Sequence, residues 1–309
     1  MTGIRPAASR PALLSALTPD GLAAADRRYP KWATMCQLRR LGLPVLNAIL
    51  ITPGQDRDVL DAALAALAAA TGHSTVMVRS DGGMETRRYY KGGNTFAIAE
   101  AASKAAGLLE AGRAVILMEP TSRFTNQLSA LLRLDRDGRY GTFTIEALGP
   151  GYDVADLTRG GIPPQVTVTA DINWSAYQEP WWTDLRLTTA TAPGAEQRRR
   201  QLRLARIAAD ILTDTGHLTG TPASDEQNAA LAQTWLIDHG HRDLWQRHDT
   251  AVAVAGRVRG WLDDAYLIAA CYPHRGWTCL ATAVSDLGHR TVYWDIIDGS
   301  RKYARRSPA

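Results

Sequence analysis

The first 120 residues alternate between two kinds of hydrophobic pattern. Three mostly apolar runs have the length of buried strands: residues 45–52, 75–78 and 115–118. Three longer stretches carry apolar residues three and four positions apart, the spacing of a helix with one buried face: residues 31–41, 58–70 and 95–109. Gly42, Gly72 and Gly112 follow these stretches, as glycine commonly does where a helix ends. The alternation predicts an N-terminal α/β lobe over residues 18–120, preceded by a flexible tail over residues 1–17.

The middle of the chain has the pattern of an antiparallel sheet. Residues 128–134 and 140–147 predict two strands, and the Asp135-Arg-Asp-Gly138 turn between them is a strong hairpin signal. Residues 166–172 alternate apolar and polar positions like a strand with one solvated face. We therefore expect a second lobe over residues 121–218.

The rest of the chain combines helical patterns with further strands. Residues 173–193 are rich in Trp and are predicted to be irregular, whereas residues 196–212 and 226–239 have helical spacing. Four more strands are predicted: residues 251–258, 266–271, 278–284 and 291–297. We expect residues 219–309 to complete the second lobe as a strand-rich meander, so that the whole chain has an α+β fold of two lobes.

One strand-to-helix connection has the composition of a phosphate-binding loop. A short apolar strand brings the fixed cation Arg79 to its end, and the following loop holds Lys91 between Tyr90 and Gly92-Gly93. Glycine lets backbone N–H groups approach an anion closely, and the N-terminus of the next helix adds a favourable dipole. The net charge of +4 also suits an anionic ligand.

Several segments, in order, resemble a known nucleotide-binding domain. They are Lys31 and then Gly42-Leu-Pro-Val45, Val78-Arg79-Ser80 with Glu85 and Gly92-Gly93, the strand at 115–119, and Ile145-Glu146-Ala-Leu-Gly149-Pro-Gly151 with Gly160 and Pro163-Pro164. Over residues 29–170 their order and rough spacing resemble the nucleotide-binding domain of phosphoenolpyruvate synthase and pyruvate phosphate dikinase.

The resemblance implies an ATP-grasp fold, in which two α+β lobes close over ATP, with ATP and Mg²⁺ as cofactors. Lys31 and Arg79 would be the catalytic cations on the phosphates, and Glu119 would lie near the adenine. The whole implied cofactor-binding set is Lys31, Arg79, Lys91, Gly92, Gly93, Glu119 and Glu146. Phosphoryl transfer depends mainly on positioning and charge neutralisation, which requires such fixed cations together with carboxylates that hold a metal ion.

The chain departs from that family in its acidic residues. Asp81 stands where the family has a serine, and it would repel phosphate unless it holds metal. The family's Gln-x-Arg-Pro metal-binding ending is not evident. We therefore expect Mg²⁺ on Asp171 and Asn173, which are two residues apart and so lie on the same face of their strand. Asp295 and Asp298 are the second candidate pair. The length of 309 residues excludes the family's phosphohistidine and phosphoenolpyruvate domains, so no full dikinase cycle is expected.

Three other residue groups have structural as well as functional interpretations. His239 and His241 could bind a metal, but histidine also favours a helix C-terminus. The aromatic residues between 174 and 182 could stack on a planar substrate or pack in the core. The arginine-rich face of the predicted helix at 196–212 could contact nucleic acid but is typical of a solvated surface.

Composition limits the class of protein. The content of 45% hydrophobic and 21% charged residues is typical of soluble globular proteins, and no run of about 18 apolar residues predicts a membrane helix. Cys36, Cys271 and Cys279 are far apart, which argues against a zinc ribbon or a disulfide framework. We expect a cytoplasmic protein.

Two functions from different classes follow. The leading hypothesis is a stand-alone ATP-grasp enzyme that phosphorylates a small-molecule acceptor or ligates a carboxylate to an amine. The alternative is a degenerate nucleotide-binding or regulatory protein without turnover. We do not expect nucleic acid as a partner, and the sequence leaves the acceptor and the oligomeric state open.

Overall fold

The computed structural model describes residues 12–25, 27–82, 94–121, 126–150, 152–158, 163–174, 182–189, 250–271, 279–287 and 290–298. The helices are α1 (Pro19–Ala23), α2 (Pro30–Arg40), α3 (Arg57–Thr71), α4 (Ile98–Glu110), α5 (Val154–Thr158), α6 (Thr250–Ala255) and α7 (Val258–Ala270). The strands are β1 (Ala48–Ile51), β2 (Thr75–Asp81), β3 (Asn94–Ala97), β4 (Ala114–Met118), β5 (Leu128–Asp137), β6 (Tyr140–Leu148), β7 (Val166–Asn173), β8 (Trp182–Thr189), β9 (Cys279–Asp286) and β10 (Thr291–Asp298).

The described residues form two compact units. One contains the described residues up to Thr121 together with Val292–Ile296, and the other contains those from 126 to 291 with 297–298. Helices combined with two antiparallel sheets confirm the α+β class. Within the described parts of the chain, no helix is both long enough and apolar enough to cross a bilayer.

The first unit is built on a four-stranded sheet with the order β1-β4-β2-β3. All of its strand pairs are antiparallel. Val76 and Val78 of β2 pack with Leu117 of β4 in a core that α3 and α4 complete. Gly72 ends α3 in the left-handed conformation, with φ of 72°, and donates its N–H to the carbonyl of Ala68. That is the helix end its position predicted.

The other sheet has six strands in the order β10-β9-β5-β6-β7-β8, and its strands β5, β6, β7, β8 and β9 belong to the second unit. The predicted hairpin is present as β5 and β6, but its turn is tighter than expected. Asp137 pairs with Tyr140, so only Gly138 and Arg139 form the turn, and Gly138 has φ of 60°. Such two-residue turns need left-handed residues, which glycine supplies without strain.

Two of the predicted strands are wrong, because residues 251–258 and 266–271 lie in α6 and α7. The Ala-Val-Ala-Val alternation at 251–254 has strand period, but alanine favours helix strongly. The buried residues of this region instead recur every three or four positions: Val254, Val258, Trp261, Leu262, Ala265, Ile268 and Ala269. Burial at helical spacing therefore decides the structure here.

Two further boundaries are corrected. Residues 182–189, predicted to be irregular, form the edge strand β8, and a bulge between Thr169 and Asp171 interrupts its pairing with β7. Residues 94–97 form strand β3, so α4 begins at Ile98 rather than at residue 95. The helices predicted at 196–212 and 226–239 lie outside the described residues.

Candidate functional site

Strand β2 carries the predicted cation Arg79 on the face of the first sheet opposite α3 and α4. Side chains alternate along a strand, so Arg79 and Asp81 point away from the face that Val76 and Val78 bury. The strand is central in the sheet, between β3 and β4. A fixed backbone therefore holds the two ionisable side chains next to each other on one face.

Asp81 ties the end of β2 to the start of α2. Its carboxylate, only 1% exposed, accepts from the backbone N–H of Lys31 at 3.3 Å, of Trp32 at 2.8 Å and of Gly82 at 2.9 Å. The first N–H groups of a helix have no partner within the helix, and Asp81 supplies one from a distant strand. Asp81 thus acts as the anion at this helix N-terminus, which explains why an acid is tolerated in the proposed phosphate region.

Burial raises the pKa of Asp81 above its ordinary value of 3.8, and the N–H donors and Lys31 offset only part of that rise. Desolvation disfavours the charged carboxylate, whereas hydrogen bonds to it favour the charge. The net direction means that the folded protein holds this proton more tightly than a solvated aspartate does.

Lys31 reaches the same region from α2. Its ammonium Nζ donates to the backbone carbonyl of Ser80 at 3.0 Å. The fold therefore brings Lys31 next to the β2 residues that flank Ser80, although the two segments are 49 residues apart in sequence. The resemblance implied that Lys31 and Arg79 both contact phosphates, and those roles stay predictions.

Arg79 is half-enclosed by residues of β10. Its Nη2 donates to Oδ2 of Asp295 at 2.9 Å, and the side chains are only 14% and 12% exposed. The guanidinium carbon lies 5.7 Å from the centroid of the Trp294 ring, within cation–π range. Nη1 lies 4.0 Å from the sulfur of Met118. Local sequence could not reveal this pair, because 216 residues separate its partners.

Glu119 follows β4 and turns its carboxylate towards the start of β1. Oε2 accepts from the backbone N–H of Asn47 at 3.3 Å and from its Nδ2 at 3.5 Å, and Oε1 lies 4.0 Å from Nε2 of His73. The backbone N–H of Glu119 donates to the carbonyl of Asn47 at 2.8 Å. The predicted adenine-side residue is thus fixed by Asn47, and neither Asn47 nor His73 was expected from the sequence.

The other predicted site residues lie in the second unit or outside the described residues. Lys91, Gly92 and Gly93 lie outside the described residues. Glu146 of β6 pairs with Thr167 of β7, so the two side chains share one face of the sheet.

The same face carries the predicted metal pair. Asp171 and Asn173 follow Thr167 at even spacing on β7, and the polar positions of β7 are its more exposed ones. Asp171 is four residues from Thr167, so Glu146 and Asp171 are separated by about 13 Å along the strand direction. Glu146 is therefore too distant to share one ion with Asp171.

The surroundings of the predicted metal ligands include cations. Nη2 of Arg186 lies 3.9 Å from Asp171, and both side chains are more than half exposed. Asp295 already accepts from Arg79. The side chain of Asp298, the other member of the second pair, is outside the described side chains. Among the side chains that are described, no group of three or more His, Cys, Asp or Glu residues could hold a metal ion.

The described tryptophans at 174 and 182 lie near arginines, and the thiol of Cys36 is buried. The Trp174 ring lies 6.0 Å from the guanidinium carbon of Arg136, and the Trp182 ring lies 5.9 Å from that of Arg259. Cys36 is buried, which raises the pKa of its thiol to about 12 and makes it a poor nucleophile. Trp181, Tyr177 and the histidines at 239 and 241 lie outside the described residues.

No protein-family model and no curated protein matches this chain. Among solved structures, it is similar to D-cycloserine synthetase DcsG, with 13% identity and a TM-score of 0.39, over 87% of this chain and 62% of that one. It is also similar to the ATP-grasp ligase PsnB complexed with a minimal precursor, with 10% identity and a TM-score of 0.34, over 90% and 56%. A third similar structure is the macrocyclase MdnC bound with precursor peptide MdnA from Microcystis aeruginosa. It has 10% identity and a TM-score of 0.35, over 90% of this chain and 55% of that one. This chain therefore spans 55% to 62% of the length of these three proteins.

Proposed function

We propose that this chain is an ATP-dependent enzyme of ATP-grasp type that activates a carboxylate for ligation to an amine. The observation that carries the proposal is that the Lys31 ammonium donates to the backbone carbonyl of Ser80, the residue that follows Arg79 on β2. The resemblance in sequence implies that these two residues hold phosphates, and the fold brings their segments together. Phosphoryl transfer needs fixed cations around the phosphates.

In the proposed reaction the chain's own residues bind and orient. An oxygen of the carboxylate substrate attacks the γ-phosphorus of ATP, and ADP leaves. The amine then attacks the carbonyl carbon of the acyl phosphate, and inorganic phosphate leaves with the amide formed. Lys31 and Arg79 would hold the phosphate oxygens and neutralise charge that moves onto them, which is worth most where the side chains are partly desolvated.

The described residues offer better contacts for a phosphate than for Mg²⁺. Mg²⁺ prefers carboxylate oxygens, and it would supply further neutralisation of the phosphates. The Arg186 guanidinium beside Asp171 opposes a second cation there, and Asp295 is engaged by Arg79. Asp171 and Asn173 stay the predicted metal pair.

A second candidate is a nucleotide-binding protein without turnover. Each proposed phosphate-binding cation already has an anion of the chain close by, since Asp295 accepts from Arg79 and Asp81 lies at the N-terminus of α2 beside Lys31. Such internal neutralisation suits a site that binds weakly or serves regulation. Turnover with a carboxylate would exclude this candidate.

The first test is calorimetric titration of ATP, with and without Mg²⁺ and with GTP as a control, on wild type, Lys31→Ala and Arg79→Gln. Glutamine removes the positive charge and keeps a polar amide, but it ends two bonds short of Nη2 and so also breaks the contact with Asp295. We expect each variant to bind ATP about tenfold more weakly, or about 1.4 kcal/mol. Lys104→Ala, which removes an exposed lysine from α4, should bind as wild type does.

Product analysis separates ligation from phosphorylation. Hydroxylamine added with ATP and a panel of carboxylates should give a hydroxamate if an acyl phosphate forms. Binding that ignores Mg²⁺, with no release of ADP for any acceptor, would favour the regulatory protein. Equal ATP affinity in wild type and both variants would contradict the proposed site.

A further inference from the structure

We propose that Asp295 is a positioning residue that sets the orientation of Arg79 for an anionic phosphate, rather than a ligand of Mg²⁺. The inference rests on the proposed function, since it deepens the role of Arg79 in that site. The observation behind it is an ion pair in the first unit whose two side chains are largely withdrawn from water.

The geometry holds one side of the guanidinium. Asp295 accepts from Nη2 at 2.9 Å, whereas Arg79 has five N–H donors in a planar, fixed fork. The Trp294 ring, 5.7 Å from the guanidinium carbon, limits rotation of the plane. One anchored nitrogen and one flanking ring orient the remaining donors of Arg79.

The strand segment that carries Asp295 is itself fixed. Tyr293, two residues earlier, is 1% exposed and donates its backbone N–H to the carbonyl of Pro44 at 2.9 Å. Tyr293 also forms a parallel bridge with Val45. A carboxylate on a buried, hydrogen-bonded strand is held more firmly than one on a loop, which is what orienting another side chain requires.

Charge argues against the metal interpretation. A divalent cation at Asp295 would lie beside the Arg79 guanidinium, whose nitrogen is already 2.9 Å from Oδ2. The metal ion and the guanidinium would repel each other strongly, because the Arg79 and Asp295 side chains are largely withdrawn from water. The carboxylate is therefore better matched to the arginine than to Mg²⁺.

The test compares ATP affinity in wild type, Asp295→Asn and Asp295→Glu, each with and without Mg²⁺. Asparagine keeps the size of the side chain and removes the charge, while glutamate keeps the charge and moves it by one methylene. We expect both variants to weaken ATP binding about five- to tenfold, equally in the presence and absence of Mg²⁺. If Asp295→Asn does not fold, Asp295→Glu still tests the role of the ion pair.

Two controls separate orientation from stability. Asp286→Asn breaks a comparable pair in the second unit, where Arg257 donates to a 2% exposed carboxylate at 2.6 Å, and it should lower the unfolding temperature without changing ATP affinity. In the Arg79→Gln background, Asp295→Asn should cause no further loss, because its effect passes through Arg79.

Three results would overturn the inference. Loss of affinity only when Mg²⁺ is present would make Asp295 a metal ligand. Tighter ATP binding in Asp295→Asn would make the carboxylate a competitor of the phosphate. Unchanged affinity in both variants, while wild type binds ATP, would refute the inference alone, whereas a wild type that binds no ATP would refute the proposed function and this inference with it.

Discussion

At the scale of single residues, the first unit places each cation of interest near a carboxylate. Asp295 accepts from Arg79, and Asp81 accepts from the backbone of Lys31 and Trp32. The Arg79–Asp295 pair offsets charge where both side chains are largely withdrawn from water. A phosphate that binds Arg79 must therefore compete with Asp295 or use the other donors of the guanidinium.

The protonation of Asp81 should leave a signature in the dependence of stability on pH. Its pKa in the folded protein lies above the ordinary 3.8, so between 3.8 and the folded pKa the folded protein binds more protons than the unfolded chain. The Asp81 contribution to the free energy of unfolding is then fully present below pH 3.8 and is lost as pH rises through the folded pKa.

The measurement is urea unfolding of wild type and Asp81→Asn between pH 4 and pH 7. Asparagine cannot titrate, so the difference between the two proteins isolates this carboxyl from all the others. We expect the free energy of unfolding of wild type to rise relative to that of Asp81→Asn as pH falls. A move in the opposite direction would mean that the N–H donors of Lys31, Trp32 and Gly82 outweigh desolvation.

At the scale of elements, close backbone approach decides the β5–β6 hairpin. A Cβ atom at Gly141 would overlap the carbonyl oxygen of Asp135 and lie 2.8 Å from Nε1 of Trp174. The carbonyl belongs to the facing strand and cannot move without breaking the ladder. The hairpin is therefore specified by a glycine inside a strand as well as by its turn.

Gly141→Ala should destabilise the protein by about 1–3 kcal/mol, because the backbone must shift to relieve the overlap. The matched control is Gly107→Ala inside α4, where nothing lies within 4 Å of the added methyl group. That change should stabilise by about 0.5–1 kcal/mol, since alanine favours helix over glycine. Equal midpoints of thermal unfolding in the two variants would show that the strands adjust freely.

At the scale of the whole molecule, the candidate residues are divided between the two units. Lys31, Arg79, Glu119 and Asp295 belong to the first unit. Glu146 and the predicted metal pair belong to the second. Each unit needs its own buried core, and the first has one in which strands and two helices share a single cluster.

Removal of a core side chain should cost far more than removal of the same side chain at an edge. Leu67 of α3 is fully buried in the first core, so Leu67→Ala should lower the free energy of unfolding by about 3–4 kcal/mol. Leu187 on the edge strand β8 is 42% exposed, and Leu187→Ala should cost below about 1 kcal/mol. Chemical denaturation measures both, and similar losses would contradict the assignment of Leu67 to a core.

Much of the fold could be predicted because its determinants are local. The helical spacing before Gly72 gave α3, the apolar run before Arg79 gave β2, and alternation gave β7. Local reasoning failed at 251–258, where alanine and valine suit either period and burial selected the helix. It also failed at 182–189, where pairing with β7 made a strand of a segment without clear periodicity.

The sequence by itself determined the α+β class, the course of most strands and helices, and the residue types suited to a phosphate. Each of these depends on backbone hydrogen bonding and side-chain burial within a few residues. The tertiary structure alone decided that Asp81 caps α2 and that Asp295 holds Arg79, because both contacts depend on which distant segments lie side by side. Such pairs arise from strand register and packing over the whole unit, which no short stretch of sequence contains.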